Sequence, residues 1–195
     1  MKKYLFLSML LSLVTLTPYL QGVEPKNFPA QISFESNGKT YKLDKTGETT
    51  RKKYMIKVYD VASYLENGTV TNKANAFDEI LQDNKAKQLT LYWLHDVDVA
   101  KMHEGYEESF RKVLPGDQYN QFKQEREKYM SFFDHETKVG DVEVIRWIPG
   151  GTIEVLFNGK SAGTVTNPQF AKALYSMWFG PTTSVKREDL ISLIK

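Results

Sequence analysis

The 195-residue chain has no cysteine and only three histidines. Without cysteine there are no disulfides, no thiolate metal sites, no cysteine nucleophile and no lipid-modified cysteine of the bacterial lipoprotein kind. The histidines, His95, His103 and His135, supply no metal motif either, because His103-Glu104 lacks the second histidine that a helical zinc site needs one turn on. No Gly-x-Ser-x-Gly elbow marks a serine hydrolase, and no cofactor is expected. Asp96 and Asp98 flank a helix start, where capping accounts for them better than acid-base catalysis.

A surplus of one charge is also missing. Lys2 and Lys3 precede an apolar run from Tyr4 to Leu16, about the length of a signal-peptide core and short for a membrane span. We read residues 1–22 as an export signal and residues 23–195 as one domain of an exported, periplasmic protein with no further membrane span. An uncleaved N-terminal anchor is the alternative, since Leu20 stands where cleavage favours a small residue. Residues 23–195 carry 24 basic and 24 acidic side chains, so the formal +2 belongs to the signal. That balance argues against nucleic acid or an anionic membrane surface as the main partner, and the cluster from Arg51 to Lys57 is too small to reverse it. Oligomeric state is left open.

What the chain does have is turn punctuation. Asn37-Gly38 lies between Gln31–Glu35 and Thr40–Leu43, and Asn158-Gly159 between Thr152–Phe157 and Ser161–Val165; both read as tight hairpins. With Val142–Ile148 these segments make a late meander, and Leu89–Leu94, apolar on both faces, reads as a central strand. Helical spacing follows Asp98 through Val99, Met102, Tyr106, Phe110 and Val113. A second helix is expected from Asp117 to Phe133, with Glu125 to Lys128 as mostly solvated charge; Glu107 and Glu108 read the same way. A third starts at Asn167-Pro168 and stops at Gly180-Pro181, a last one runs from Ser184 to Ile194, and a short one covers Asn72–Gln82. Strands, helices, a meander and helices again make an α+β order, an antiparallel sheet covered on one face by helices.

One segment stands out. From Arg51 to Glu66 an apparent buried strand carries Arg51, Lys52, Lys53 and Lys57 among spaced tyrosines. Cations on both faces of a strand mean either a solvated end or an anionic ligand in a pocket. Both remain open: Arg51 to Lys53 fit a solvated strand start, and Tyr54, Tyr59 and Tyr64 fit packing.

The residues resemble a known family. Gly47 followed by Arg51-Lys52-Lys53, then Lys57-Val58-Tyr59 and Tyr64-Leu65, then Asp96-Val97 before the first long helix, match in order and spacing. So do the Pro115 break, Lys138-Val139-Gly140-Asp141, Asn158-Gly159-Lys160 with Gly163, and the Phe170–Gly180 helix ending Trp178-Phe179-Gly180. Over Phe28–Lys195 the chain is similar to chalcone isomerase-like proteins of the bacterial exported type. The resemblance implies an open-faced β-sandwich, a large antiparallel sheet under a layer of helices with a ligand cleft between them.

In the family's isomerases, the catalytic arginine falls at Arg51, the threonine at Tyr59, the tyrosine and asparagine at Met102 and Ser109, and a late serine or threonine near Ala171. Only the arginine is kept, although Tyr106 lies one helical turn past Met102 and is the substitute at hand. Members that bind fatty acids instead use an arginine and a tyrosine at the carboxylate, which Arg51 and Tyr59 match. Val99, Met102 and Phe110 then supply an apolar wall, a role that is also served by ordinary core packing. The resemblance thus implies a non-enzymatic protein holding a small amphipathic anion, foremost a fatty acid, with Arg51, Tyr59, Lys57, Met102, Tyr106, Ser109 and Phe110 around it. An isomerase or intramolecular lyase acting on a chalcone-like enone, and an envelope interaction module with a vestigial cleft, are the alternatives. Geometry sets one condition: on an extended strand, Arg51 and Tyr59 are about 27 Å apart. The chain must bend between Lys52 and Lys57, or Lys57 must replace one of them.

Overall fold

A computed structural model of the protein describes residues 28–194; the expected export signal lies outside them. Seven strands, β1 (Gln31–Ser36), β2 (Lys39–Lys53), β3 (Ile56–Glu66), β4 (Lys87–Trp93), β5 (Val142–Ile148), β6 (Thr152–Phe157) and β7 (Lys160–Thr166), form one antiparallel sheet in chain order. Turn chemistry explains much of this. In both Asn37-Gly38 and Asn158-Gly159 the two residues take positive φ, the conformation of the tightest hairpins and one that asparagine and glycine adopt with little strain.

The segment from Arg51 to Glu66 is not one strand. The chain continues β2 through Lys53, reverses at Tyr54-Met55 and returns as β3, pairing Lys53 with Ile56. No glycine, asparagine or proline marks this reversal, and Tyr54 itself takes φ 56°. A turn built without turn residues reads as continuous strand.

Helices lie over one face of the sheet: α1 (Ala76–Ile80), α2 (Val99–Val113), α3 (Gln118–Gln121), α4 (Lys123–Met130) and α5 (Pro168–Phe179). The capping residues act as their types dictate. Asp98 Oδ1 accepts from the Lys101 N–H at 2.8 Å, and Asn167 Oδ1 accepts from the Gln169 and Phe170 N–H groups ahead of Pro168. Met102, Tyr106 and Phe110 form the buried stripe of α2. At α5, the Tyr175 hydroxyl donates to the Ile145 carbonyl at 2.8 Å, tying the helix to the sheet. The helix-facing core includes Val61, Leu89, Leu91, Ile145, Trp147 and Val155, all fully buried. Across β4, β5 and β6 the opposite face carries a hydrogen-bonded row, Gln88, Arg146 and Glu154, beside a smaller apolar cluster around Phe34, Tyr41 and Tyr64. That polarity matches a sheet covered by helices on one face only.

Four further expectations change. The Asn72–Gln82 helix is a 3-10 turn, Lys73–Asn75, followed by α1, and the helix from Asp117 is broken at Phe122 into α3 and α4. The charges of α2 and α4 are not all solvated. Arg126 is buried and its Nη1 donates to both Glu107 oxygens, at 2.8 and 3.0 Å, while the Tyr119 hydroxyl also donates to Glu107. This pair fastens α2 to α4. Between Ser184 and Ile194 only a 3-10 turn, Asp189–Ile191, forms.

The reason for the last change lies in β2. A register shift between Lys45 and Gly47 lets Thr46 face the C-terminal segment. Its Oγ1 donates to the Leu190 carbonyl at 2.8 Å, and its carbonyl accepts from the Leu193 N–H at 2.8 Å. Backbone groups that a helix would use internally are taken by the strand, and Leu190 and Ile194 are buried in the core. Gly47 permits the approach, since a Cβ there would stand 2.0 Å from the Asp189 carbonyl oxygen. Gly47→Ala is therefore expected to destabilise the fold by about 1–3 kcal/mol, as overpacking does. Urea unfolding against the parent protein measures it, and an unchanged midpoint would show that the segment is not held against β2.

Candidate functional site

Reversal at Tyr54-Met55 places Arg51 directly opposite Tyr59 on neighbouring strands. Their Cα atoms are then about 5 Å apart, the spacing of any antiparallel pair. The required bend is a complete hairpin, and a register irregularity between Arg51 and Lys52 adds to it. The guanidinium carbon lies 5.6 Å from the centre of the Tyr59 ring. From α5, Trp178 Nε1 donates to the Tyr59 hydroxyl oxygen at 3.1 Å, and Trp93 packs edge-on against the ring with centroids 5.2 Å apart. The Tyr59 hydroxyl hydrogen makes no hydrogen bond among the described residues.

These groups face a cavity of about 410 Å³ between the sheet, α2 and α5. Met102 and Tyr106 wall it from α2, Met177 and Trp178 from α5, and Arg51 and Tyr59 from the sheet. Burial raises the pKa of Tyr59, which stays a neutral phenol. The pKa of Arg51 is raised as well, because its attraction to the Tyr59 oxygen outweighs the opposing effect of burial, so the guanidinium stays cationic. Among the described residues Arg51 has no carboxylate within 4.0 Å, and its Nε is buried without a hydrogen-bond partner. Arg51 is half-buried, and the exposed Glu108 carboxylate acts on it only from beyond that distance; a cation partly removed from water without a paired carboxylate is costly, and such a group is expected to meet an anion.

Of the seven residues singled out from the sequence, Arg51, Tyr59, Met102, Tyr106 and Ser109 line this cavity. The Ser109 hydroxyl is bonded to the Gly105 carbonyl at 2.8 Å, a bond along its own helix. Lys57 does not line it. With the hairpin closed, Lys57 lies near the tip, exposed and paired across the strands with Lys52. Phe110 is fully buried in the core, stacked on Phe170 at 5.6 Å, so it supports the wall from behind.

Sequence reasoning missed Trp93, Trp178 and above all Glu143. Tyr106 donates to Glu143 Oε1 at 2.8 Å, and Glu143 is completely buried. The Trp93 indole lies close enough to favour the carboxylate, yet neither its Nε1 nor Glu143 Oε2 makes a hydrogen bond of good geometry. The Tyr129 hydroxyl behind Tyr106 is also without a partner. Burial outweighs the two donors and pushes the Glu143 carboxyl up to about 7. A signal for it exists in the strand pattern: Glu143 shares the inward phase of β5 with Ile145 and Trp147. Among the described residues no group of three His, Asp or Glu side chains could hold a metal ion, and no helix is long and apolar enough to cross a membrane.

The family's sequence model, described as chalcone isomerase-like, matches residues 21–188. This chain belongs to the chalcone isomerase-like family. Among curated proteins, none matches its sequence. Among solved structures, a fatty-acid binding protein of Arabidopsis thaliana has the same fold, with a TM-score of 0.69 at 17% identity over 87% of this chain and 94% of that one. The seven-stranded sheet beneath its helices is thus the family's architecture.

The buried acid of this chalcone isomerase-like protein gives stability a defined pH dependence. Its folded pKa, about 7, lies above the ordinary 4.5. The carboxyl's contribution is therefore full below 4.5 and is lost as pH rises through 7. The difference corresponds to about 3 kcal/mol. Glu143→Gln, neutral at every pH, is expected to abolish that part of the decline between pH 4.5 and 7 in denaturant titrations; a variant with the parent's pH profile would show that Glu143 is not the group responsible.

Proposed function

We propose that this protein binds a small amphipathic carboxylate of the fatty-acid class in the cavity between sheet and helices, without turning it over. The observation that carries the reading is the half-buried Arg51 cation, which lies at a cavity walled in large part by apolar and aromatic side chains and has no carboxylate within 4.0 Å among the described residues. A guanidinium can hold a carboxylate through two parallel hydrogen bonds, and the free hydrogen of Tyr59 supplies a third. Trp178 fixes the direction of that hydrogen by occupying the phenol oxygen. Met102 and Met177 give a wall that adapts to chains of different shape. The volume falls in the range of small-molecule sites, roughly 300–1,000 Å³. The fatty-acid binding protein of Arabidopsis thaliana, alike in fold, supports the same reading.

Binding without turnover fits the positions that the family's isomerases use. Met102 and Ala171 bring no polar group, and the Ser109 hydroxyl is committed to its helix. With residues 1–22 read as an export signal, the ligand is met outside the cytoplasm.

Extraction of the purified protein followed by mass spectrometry is expected to find bound fatty acid. In titrations with a fluorescent fatty acid, Arg51→Ala should weaken binding by roughly ten- to a hundredfold and Tyr59→Phe by about fivefold, the difference between losing a charged and a neutral hydrogen bond. No saturable binding by the parent protein would refute the reading. Loss of chalcone absorbance above that of a heat-killed control would replace it with an isomerase.

A further inference from the structure

At the end of the β2–β3 hairpin, Tyr54 and Met55 are 91% and 94% exposed and Ile56 is 49% exposed. Three of the five exposed large apolar side chains among the described residues are thus consecutive. Folding does not call for them. The two other two-residue hairpin turns of the sheet use Asn-Gly, whereas here a bulky tyrosine takes φ 56° at a position that favours glycine. Packing does not call for them either, because they touch solvent.

Cations surround the tip. Lys52, Lys53 and Lys57 are exposed, and Lys52 sits directly opposite Lys57 across the strands, an arrangement that opposes pairing. Lys53 shares Glu108 with Lys112, at 4.0 and 2.7 Å; among the described residues neither Lys52 nor Lys57 is in an ion pair. An unfavourable turn, exposed apolar side chains and facing like charges coincide at one place. That place is the mouth of the cavity, which Lys53, Tyr54 and Ile56 line.

We propose that the β2–β3 tip docks on an anionic lipid surface, with Tyr54, Met55 and Ile56 entering the boundary between headgroups and acyl chains and Lys52, Lys53 and Lys57 lying against the phosphates. An aromatic and apolar tip with a basic collar has the chemistry of an interfacial anchor. Docked this way, the cavity mouth faces the bilayer, and an amphipathic carboxylate passes between lipid and Arg51 without crossing bulk water. Without these three lysines residues 23–195 carry 21 basic and 24 acidic side chains, which confines the attraction to this corner and makes the membrane a transient rather than a main partner, so docking is reversible and weakens with salt. The proposal deepens the fatty-acid reading, and its failure would leave ligand binding in solution untouched.

The test uses the full chain carrying Tyr54→Trp. Its three native tryptophans, Trp93, Trp147 and Trp178, are buried, so emission changes at the tip can be read separately. Vesicles of phosphatidylglycerol mixed with phosphatidylcholine are expected to shift the new emission to the blue, and brominated lipid to quench it. High salt should weaken both effects. Adding Lys52→Glu should lower vesicle affinity by at least about fivefold, the weight of one basic residue at an anionic surface, and adding Met55→Asp should abolish quenching. Both should leave fatty-acid titration in solution unchanged. An unshifted emission, or equal binding to phosphatidylcholine alone, would overturn the proposal. So would a blue shift that grows with protein concentration in the absence of vesicles, which would assign the tip to a second copy of the chain.

Discussion

Cross-strand pairing of Arg51 with Tyr59 is the contact on which the site depends. It sets a cation and a phenol side by side at the end of a sheet where three strands and two helices meet. Strand pairing of the backbone positions Arg51, while Tyr59 is locked by Trp178 and Trp93. The phenol therefore has little freedom left to lose when an anion binds, which is how preorganisation raises affinity.

Behind the cavity wall the same economy is absent. Glu143, Tyr106, Tyr129 and Trp93 gather polar atoms in a place where water does not reach, and three of those atoms lack a partner. An apolar set of similar volume would make a more stable core. What this cluster adds is a carboxyl that changes charge near neutrality, linked through Tyr106 to the cavity and electrostatically to Tyr59. The protein thus combines a permanently charged Arg51 at the cavity with a titratable acid just beneath it.

Regular features of the fold were legible in the sequence because local chemistry specifies them. Asn37-Gly38, Asn158-Gly159, Asp98 and Asn167-Pro168 each name a turn or a cap, and the structure uses them as such. What was not legible depends on partners far away in the chain. Arg126 reads as a surface charge until Glu107 is seen opposite it. The C-terminal segment reads as a helix until Thr46 takes its backbone groups. The Tyr54-Met55 reversal was hidden for a different reason: it breaks the local rule for turns, and such departures gather where a chain serves something other than its own stability. Residues near the cavity followed the same division. Arg51 and Tyr59 could be named by type and order, whereas Glu143 could be found only by noticing an acid in phase with Ile145 and Trp147.

The bond from Thr46 to Leu190 spans 144 residues. Most other strand contacts in this meander join neighbours in sequence and can form as soon as each hairpin exists. Sealing the core beneath β2 must instead wait until the segment after α5 is available, because Leu190 and Ile194 fill it. A chain emerging from a ribosome or a translocation channel can therefore lay down its sheet early, yet it cannot close this end of its core until the segment that carries Leu190 and Ile194 has followed.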